Sequence, residues 1–233
     1  MIMAKTRYQN ALVVGATGGI GNALSETLSI KGCNVRTLSR QSDPSFDITS
    51  VAVLTQIFDR MIEETWRPDL IINATGFLHN AQHQPEKRLL DVKHDALIHN
   101  FNINAVGPVL LAQQIQRLMA RDAQFVYASL SARVGSISDN NLGGWYSYRA
   151  AKSAQNQLLK TAAIEWSRTR RGATLVLLHP GTVATKLSEP FAKSGLSVRG
   201  TLEAAKDLIN VLEHLTPADH GSFLDHHGKH IPW

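Results

Sequence analysis

Apolar residues in this chain fall into short unbroken runs that alternate with longer, helically spaced ones. Ala11-Leu12-Val13-Val14-Gly15, Leu70-Ile71-Ile72 and Leu175–Leu178 are short runs, and Ala123–Ala128 is one but for Gln124. Such runs, lacking polar alternation, predict strands covered on both faces, as in a parallel sheet. Asn34–Leu38 reads as a further strand, and Ser222-Phe223-Leu224-Asp225 as a closing one. Between them, Asn22–Ser29, Val51–Glu64, Asp91–Met119, Ala150–Trp166 and Glu203–Leu215 carry helical patterns. Only Gln41–Phe46, which includes Pro44, separates the second strand from Asp47-Ile48-Thr49, too little for a helix of useful length. The alternation predicts one α/β domain over residues 1–233, a doubly wound parallel sheet with helices on both faces.

Composition agrees with that class. The 233 residues are 43% hydrophobic and 18% charged, an ordinary globular balance with enough chain for a sizeable core. No apolar run is long enough to span a membrane, and Met1–Asn10 is polar and leads straight into a strand. Cys33 is the sole cysteine, so no internal disulfide can form, and it reads as a small apolar residue at a helix–strand junction. A cytoplasmic protein is the expectation. The net charge of +5 suits an anionic small molecule and does not indicate nucleic acid. The basic run Arg168-Thr169-Arg170-Arg171 ends a predicted helix, where it can satisfy terminal carbonyls. His214, His220, His226, His227 and His230 in the tail match no standard ligand spacing, so no metal is expected.

Two motifs carry chemistry. The first strand runs into Gly15-Ala16-Thr17-Gly18-Gly19-Ile20-Gly21 and then a helix. Strand, glycine turn and helix form the setting in which backbone N–H groups and a helix N-terminus hold a dinucleotide pyrophosphate. The second motif is Tyr148-Arg149-Ala150-Ala151-Lys152. Residues four apart share a helix face, so the phenol and the ammonium can reach one small volume. A cation there favours the phenolate and lowers the Tyr148 pKa towards working pH. Tyr148 thus becomes a candidate general acid/base. Tyr146 is excluded, because only Tyr148 has a lysine four residues on.

The G-x-x-x-G-x-G spacing of Gly15, Gly19 and Gly21, together with Tyr148 and Lys152, resembles the single-domain branch of the short-chain dehydrogenase/reductase family. Gly135-Ser136-Ile137 through Gly143-Gly144-Trp145-Tyr146 resembles the C-factor-like and sniffer-like carbonyl reductases in particular. The resemblance covers residues 10–233 and implies a Rossmann fold and an oxidoreductase passing a hydride between a nicotinamide and a carbonyl or alcohol.

The resemblance also assigns roles. Thr17, Gly18 and Ile20 join the glycines at the cofactor. Ser39 stands where an acidic residue would accept from a ribose 2′-OH, and Arg40 follows with a guanidinium suited to a 2′-phosphate. NADP(H) is therefore expected, with NAD(H) as the alternative. Asp47 matches an adenine contact and also suits a helix N-cap region with Thr49 and Ser50. Asn73-Ala74-Thr75-Gly76 matches the family's Asn-Asn-Ala-Gly segment, with Thr75 departing from it. Asn73, Ala74 and Gly76 would border the adenine ribose, and a structural role for Asn73 stands equal to a binding one. Asn104 matches the active-site asparagine that bends a helix and holds a water linked to the lysine, with Asn102 as the alternative. Ser131, or Ser129, would hydrogen-bond the reacting oxygen. Pro180, Gly181, Val183 and Thr185 match the nicotinamide-carboxamide segment, and Lys152 would hold the nicotinamide ribose beside Tyr148. Residues at about 186–200 would form a substrate-covering loop. The partner is a small carbonyl or alcohol, and a homodimer or homotetramer is the family's usual assembly. Two rival functions are a C-factor-like signalling protein that binds dinucleotide and a sugar-nucleotide epimerase or dehydratase. Such epimerases carry a larger C-terminal domain than the 48 residues that follow Thr185 here.

Overall fold

The N-terminal apolar run becomes β1 (Asn10–Val14), the strand about which the sheet is wound. In the computed structural model, which describes residues 5–42, 44–185 and 198–233, β1 pairs with β2 (Asn34–Leu38) on one side and β3 (Leu70–Asn73) on the other. Beyond β3 lie β4 (Phe125–Leu130), β5 (Ala173–His179) and β6 (Ser222–Asp225). The order is β2-β1-β3-β4-β5-β6, and every pairing is parallel. The strand order reverses at β1, so the crevice outside the carboxyl ends of β1 and β3 is where an open α/β sheet binds ligands.

Successive residues of β1 point to opposite faces, as a pleated strand requires. Leu12 and Val14 enter one core, with Leu54, Phe58, Leu111 and Trp166. Ala11 and Val13 enter the other, with Leu24, Leu28, Leu208 and Leu212. The first core is covered by α2 (Val51–Glu63), α4 (Gly107–Leu118) and α5 (Tyr146–Thr169). The second is covered by α1 (Gly19–Ile30) and α6 (Thr201–His214). These two apolar layers are why the strands read as unbroken runs. No helix of the described residues is long and apolar enough to cross a membrane.

Local differences from the sequence expectation have identifiable causes. The long helical run from Asp91 is interrupted: α3 (His94–Phe101) passes through a π-helical turn at Asn102–Val106 into α4. Pro108 has no N–H for the carbonyl of Asn104, so the α-helical ladder cannot close there. The fourth strand runs over Phe125–Leu130, two residues later than the apolar run suggested. Arg170 does satisfy helix-terminal carbonyls, but those of another helix: it donates to Met119 O and Gln116 O, each at 2.6 Å, at the end of α4. His220 is a structural residue, its Nδ1 accepting from Leu175 N at 3.1 Å and its Nε2 lying 2.7 Å from Ala163 O. Among the described residues no group of three or more His, Cys, Asp or Glu side chains could hold a metal. Most of the expected substrate-covering loop, residues 186–197, lies outside the described residues. Its return is described: Arg199 forms a parallel bridge with Val183.

Candidate active site

The glycine turn is built for close backbone approach. Gly15 has φ 89°, and a β-carbon there would lie 2.9 Å from Ala74 C and Thr75 N. A β-carbon on Gly21 would meet Gly15 O at 2.3 Å. These glycines let α1 start directly against the exits of β1 and β3. No side chain caps the N-terminus of α1 and its first turn has no acidic residue, so its N–H groups stay available to an anion. Beside this turn lies a cleft of about 630 Å³ lined by Gly15, Thr17, Gly18, Ser39, Arg40, Asp47, Ala74, Thr75 and Gly76, with Phe46, His99 and Asn102 also on its wall. Arg40 is exposed at its rim. Asp47 lines the cleft and also fits the helix-start role: Oδ1 accepts from Thr49 N at 2.9 Å and Thr49 Oγ1 at 2.8 Å, and Ser50 caps α2. A larger hollow of about 740 Å³ lies at the opposite edge of the sheet, among Arg7, Gln124 and Arg170, and holds none of these residues.

The cleft meets the candidate catalytic group at Gly76. A β-carbon there would lie 3.5 Å from Asn104 Oδ1 and 4.0 Å from Lys152 Nζ. Asn104 belongs to the π turn and grips the exit of β3 with both ends of its amide: Nδ2 donates to Phe77 O at 2.7 Å, and Oδ1 accepts from Phe77 N at 3.0 Å. Asn102, the alternative, lines the cleft instead. Tyr148 and Lys152 sit in the first two turns of α5, both buried, with Nζ 5.8 Å from the centre of the tyrosine ring. The two serines separate. Ser129 Oγ is fully buried and accepts from Asn73 Nδ2 at 3.0 Å and Gln155 Nε2 at 2.9 Å. Ser131, one step beyond the strand end, donates to Asn156 Oδ1 at 2.6 Å. Asn73 turns into the sheet rather than towards the cleft, its Oδ1 held by Thr75 N and Thr75 Oγ1. Thr185 reaches back over the glycine turn: a β-carbon on Gly19 would lie 3.0 Å from its Cγ2. Val183 is buried and ties that segment to Arg199.

The electrostatics differ from the sequence expectation. Burial pushes the Tyr148 phenol up, and Lys152 does not offset it. The ammonium, though over the tyrosine ring, spends its hydrogen bonds elsewhere, donating to Gln155 Oε1 at 2.9 Å and Leu130 O at 3.1 Å. Burial pushes Lys152 itself down to about 7. Desolvation therefore outweighs the attraction between the pair in this arrangement.

Three participants were not visible in the sequence: Gln155, Asn156 and Glu86. Glu86 is buried, and its carboxylate accepts from Ser147 N at 3.1 Å and from Ser147 Oγ, while its carbonyl accepts from Trp145 N at 2.5 Å. It thus caps α5 from a loop about sixty residues upstream, where a negative group also complements the helix dipole. This explains why α5 starts at Tyr146, behind a Trp145 with φ 53°, and not at Ala150. Glu86→Ala is expected to lower stability by about 1–3 kcal/mol, the cost of leaving buried donors unpaired. A urea midpoint unchanged from wild type at constant slope would refute the capping role.

Known proteins share this fold. The family described as enoyl-(acyl carrier protein) reductase matches residues 15–222. The 1-hydroxy-2-glutathionyl-2-methyl-3-butene dehydrogenase of Rhodococcus sp. is 28% identical over 95% of this chain and 98% of its own. C-signal of Myxococcus xanthus is 32% identical over 61% of this chain and 82% of its own. Among solved structures, the carbonyl reductase Sniffer of D. melanogaster superposes with a TM-score of 0.83 at 19% identity, covering 97% of this chain and 99% of that one. The NADPH-bound carbonyl reductase from chicken fatty liver gives 0.81 at 22% identity, covering 97% of this chain and 100% of that one. With the glycine turn, the six-stranded parallel sheet and the family match over most of its length, the chain belongs to the short-chain dehydrogenase/reductase family of oxidoreductases.

Proposed function

We propose that the protein is an NADP(H)-dependent carbonyl reductase or alcohol dehydrogenase. One observation carries the reading: the cleft beside the glycine turn ends at Gly76, where a β-carbon would lie 3.5 Å from Asn104 Oδ1 and 4.0 Å from Lys152 Nζ. The residues fit the cofactor, since the turn admits no β-carbon at Gly15 or Gly21 and the α1 N–H groups are uncapped. Gly15, Thr17, Gly18, Gly19, Ile20 and Gly21 would hold the pyrophosphate, with Ser39 and Arg40 at the 2′-phosphate and Asp47 at the adenine. Ala74 and Gly76 would border the ribose, and Pro180, Gly181, Val183 and Thr185 the carboxamide. NADP(H), when bound, supplies or takes up the hydride. Tyr148 gives its proton to the substrate oxygen, Ser131 donates a hydrogen bond to that oxygen, and Lys152 favours the phenolate left behind. Asn104 holds the exit of β3 in place around them. The two structural neighbours described above are named carbonyl reductases, and one of them holds NADPH. The similarity to C-signal favours a signalling role, but such a role needs no buried phenol beside a lysine.

The test is oxidation of NADPH and of NADH against a panel of aldehydes, ketones and diketones. NADPH-dependent turnover is expected, and tight NADPH binding with no turnover on any carbonyl would favour the signalling role. Arg40→Ala is expected to raise the KM for NADPH about tenfold, the scale of one charge-assisted hydrogen bond, and to leave that for NADH unchanged. Equal effects on both would remove Arg40 from the 2′-phosphate.

A further inference from the structure

We propose that Gln155 is a positioning residue for Lys152: its amide holds Nζ on the floor of the site and favours its ammonium form. The proposal rests on the reading of Tyr148 and Lys152 given above. Gln155 lies one turn beyond Lys152 on α5 and has no solvent exposure. Its Oε1 accepts from Nζ at 2.9 Å, and its Nε2 donates to Ser129 Oγ at 2.9 Å and Leu130 O at 3.2 Å. The amide orientation is dictated by these partners, because an ammonium can only donate and a backbone carbonyl can only accept.

The far end of the amide is also tied down. Ser129 Oγ accepts from Asn73, whose own carbonyl oxygen is held by Thr75 on the wall of the cleft. A chain of hydrogen bonds thus runs from Lys152 through Gln155, Ser129 and Asn73 to the exit of β3. Within it the amide cannot turn without breaking several bonds. Lysine alone, on a flexible four-carbon stem, would not be held so closely. Gln155 Oε1 and Leu130 O take two of the three N–H groups of the ammonium, and Nζ lies 4.0 Å from where a Gly76 β-carbon would sit. The third N–H is left for the cleft.

The groups facing Lys152 leave the amide a decisive part. They are Tyr148 on α5, Ser129 and Leu130 on β4, Asn104 across Gly76, and Gly135 from the turn after β4. Of these only Tyr148 titrates, and burial holds it protonated. Among the described residues, no charge acts on Lys152, whose pKa is lowered by burial alone. An acceptor aimed at the ammonium therefore has little competition in deciding how much of the cation survives near neutral pH.

The experiment is an NMR titration of protein labelled with ¹³C at lysine Cε, with the Lys152 signal assigned by its loss in Lys152→Arg. Wild type, Gln155→Leu and Gln155→Glu are compared. One hydrogen bond to a charged group shifts the ammonium–amine balance about tenfold, so Gln155→Leu should lower the Lys152 midpoint by about one pH unit. Gln155→Glu should raise it by at least as much. Midpoints that coincide in all three proteins overturn the proposal. If Gln155→Leu fails to fold, the sign of the shift in Gln155→Glu decides alone. A parallel profile of kcat/KM against pH, with NADPH and a carbonyl substrate, separates the two readings. If the alkaline limb follows the midpoints, both stand; if the midpoints move and the limb does not, Gln155 still tunes Lys152, and the part of Lys152 in turnover falls.

Discussion

Tyr148→Phe is expected to cut turnover by about 10²–10⁴-fold, the usual contribution of a positioned acid or base, and to leave NADPH binding close to wild type. The substitution removes one oxygen and keeps the ring. The edge-on packing of that ring against Trp145, with centres 6.2 Å apart, survives, as does the Glu86 cap that starts the helix. Folding should therefore be unaffected, which makes a loss of rate informative. Burial also predicts the direction of best performance. With its pKa pushed up, Tyr148 enters the reaction carrying its proton, as an acid ready to protonate a developing alkoxide. Carbonyl reduction at neutral pH uses that form directly, whereas alcohol oxidation requires the phenolate and should be favoured at higher pH. The check is initial rates of NADPH oxidation for both proteins, with cofactor affinity measured separately by fluorescence. A mutant that keeps wild-type turnover would remove Tyr148 from the chemistry.

Much of this site could be read in the sequence because its signals are local. The glycine turn shows as a strand, three glycines and a helix in one stretch, and Tyr148 and Lys152 share a helix face by their spacing alone. The strands showed as unbroken apolar runs because both faces of the sheet are covered. What could not be read depends on partners distant in the chain. Glu86 looks like an ordinary loop acid until it meets Ser147, and Gln155 like a polar position on a helix until Ser129 and Leu130 come under it. The surroundings of Ser129 and Ser131 turn on the same point. Two residues apart at one strand exit, they differ in what approaches their hydroxyls: Asn73 and Gln155 donate to Ser129 Oγ inside the sheet, and Ser131 Oγ donates to Asn156 just beyond it. The π turn has a local cause in Pro108, yet its consequence, Asn104 bonded to Phe77 on another segment, is again long-range.

Lys152→Met should both disable the enzyme and flatten its response to pH. Without a cation beside it, the Tyr148 phenolate loses its stabilisation, and kcat/KM should fall by at least about 10²-fold. Stability should change in a pH-dependent way. In the folded protein Lys152 titrates at about 7, against an ordinary value of 10.5. Below pH 7 both folded and unfolded chains hold the proton, so the cost of the buried ammonium, on the order of a few kcal/mol, is fully present. As pH rises from 7 towards 10.5 the folded chain releases the proton while the unfolded chain keeps it. The wild type is then expected to gain stability through this window relative to the methionine variant. Cys33, which burial pushes up to about 11, pulls stability the other way above pH 9, but it is common to both proteins and cancels in the difference. Urea midpoints of the two proteins at pH 7 and pH 9 test this, and parallel changes would mean that Lys152 is not held in the fold at a depressed pKa. A midpoint gap that narrows as pH rises would instead show that the fold carries an unfavourable buried charge at neutral pH. In the proposed chemistry this ammonium is the group that favours the phenolate during the reaction, so stability given up at this position is what that chemistry would draw on.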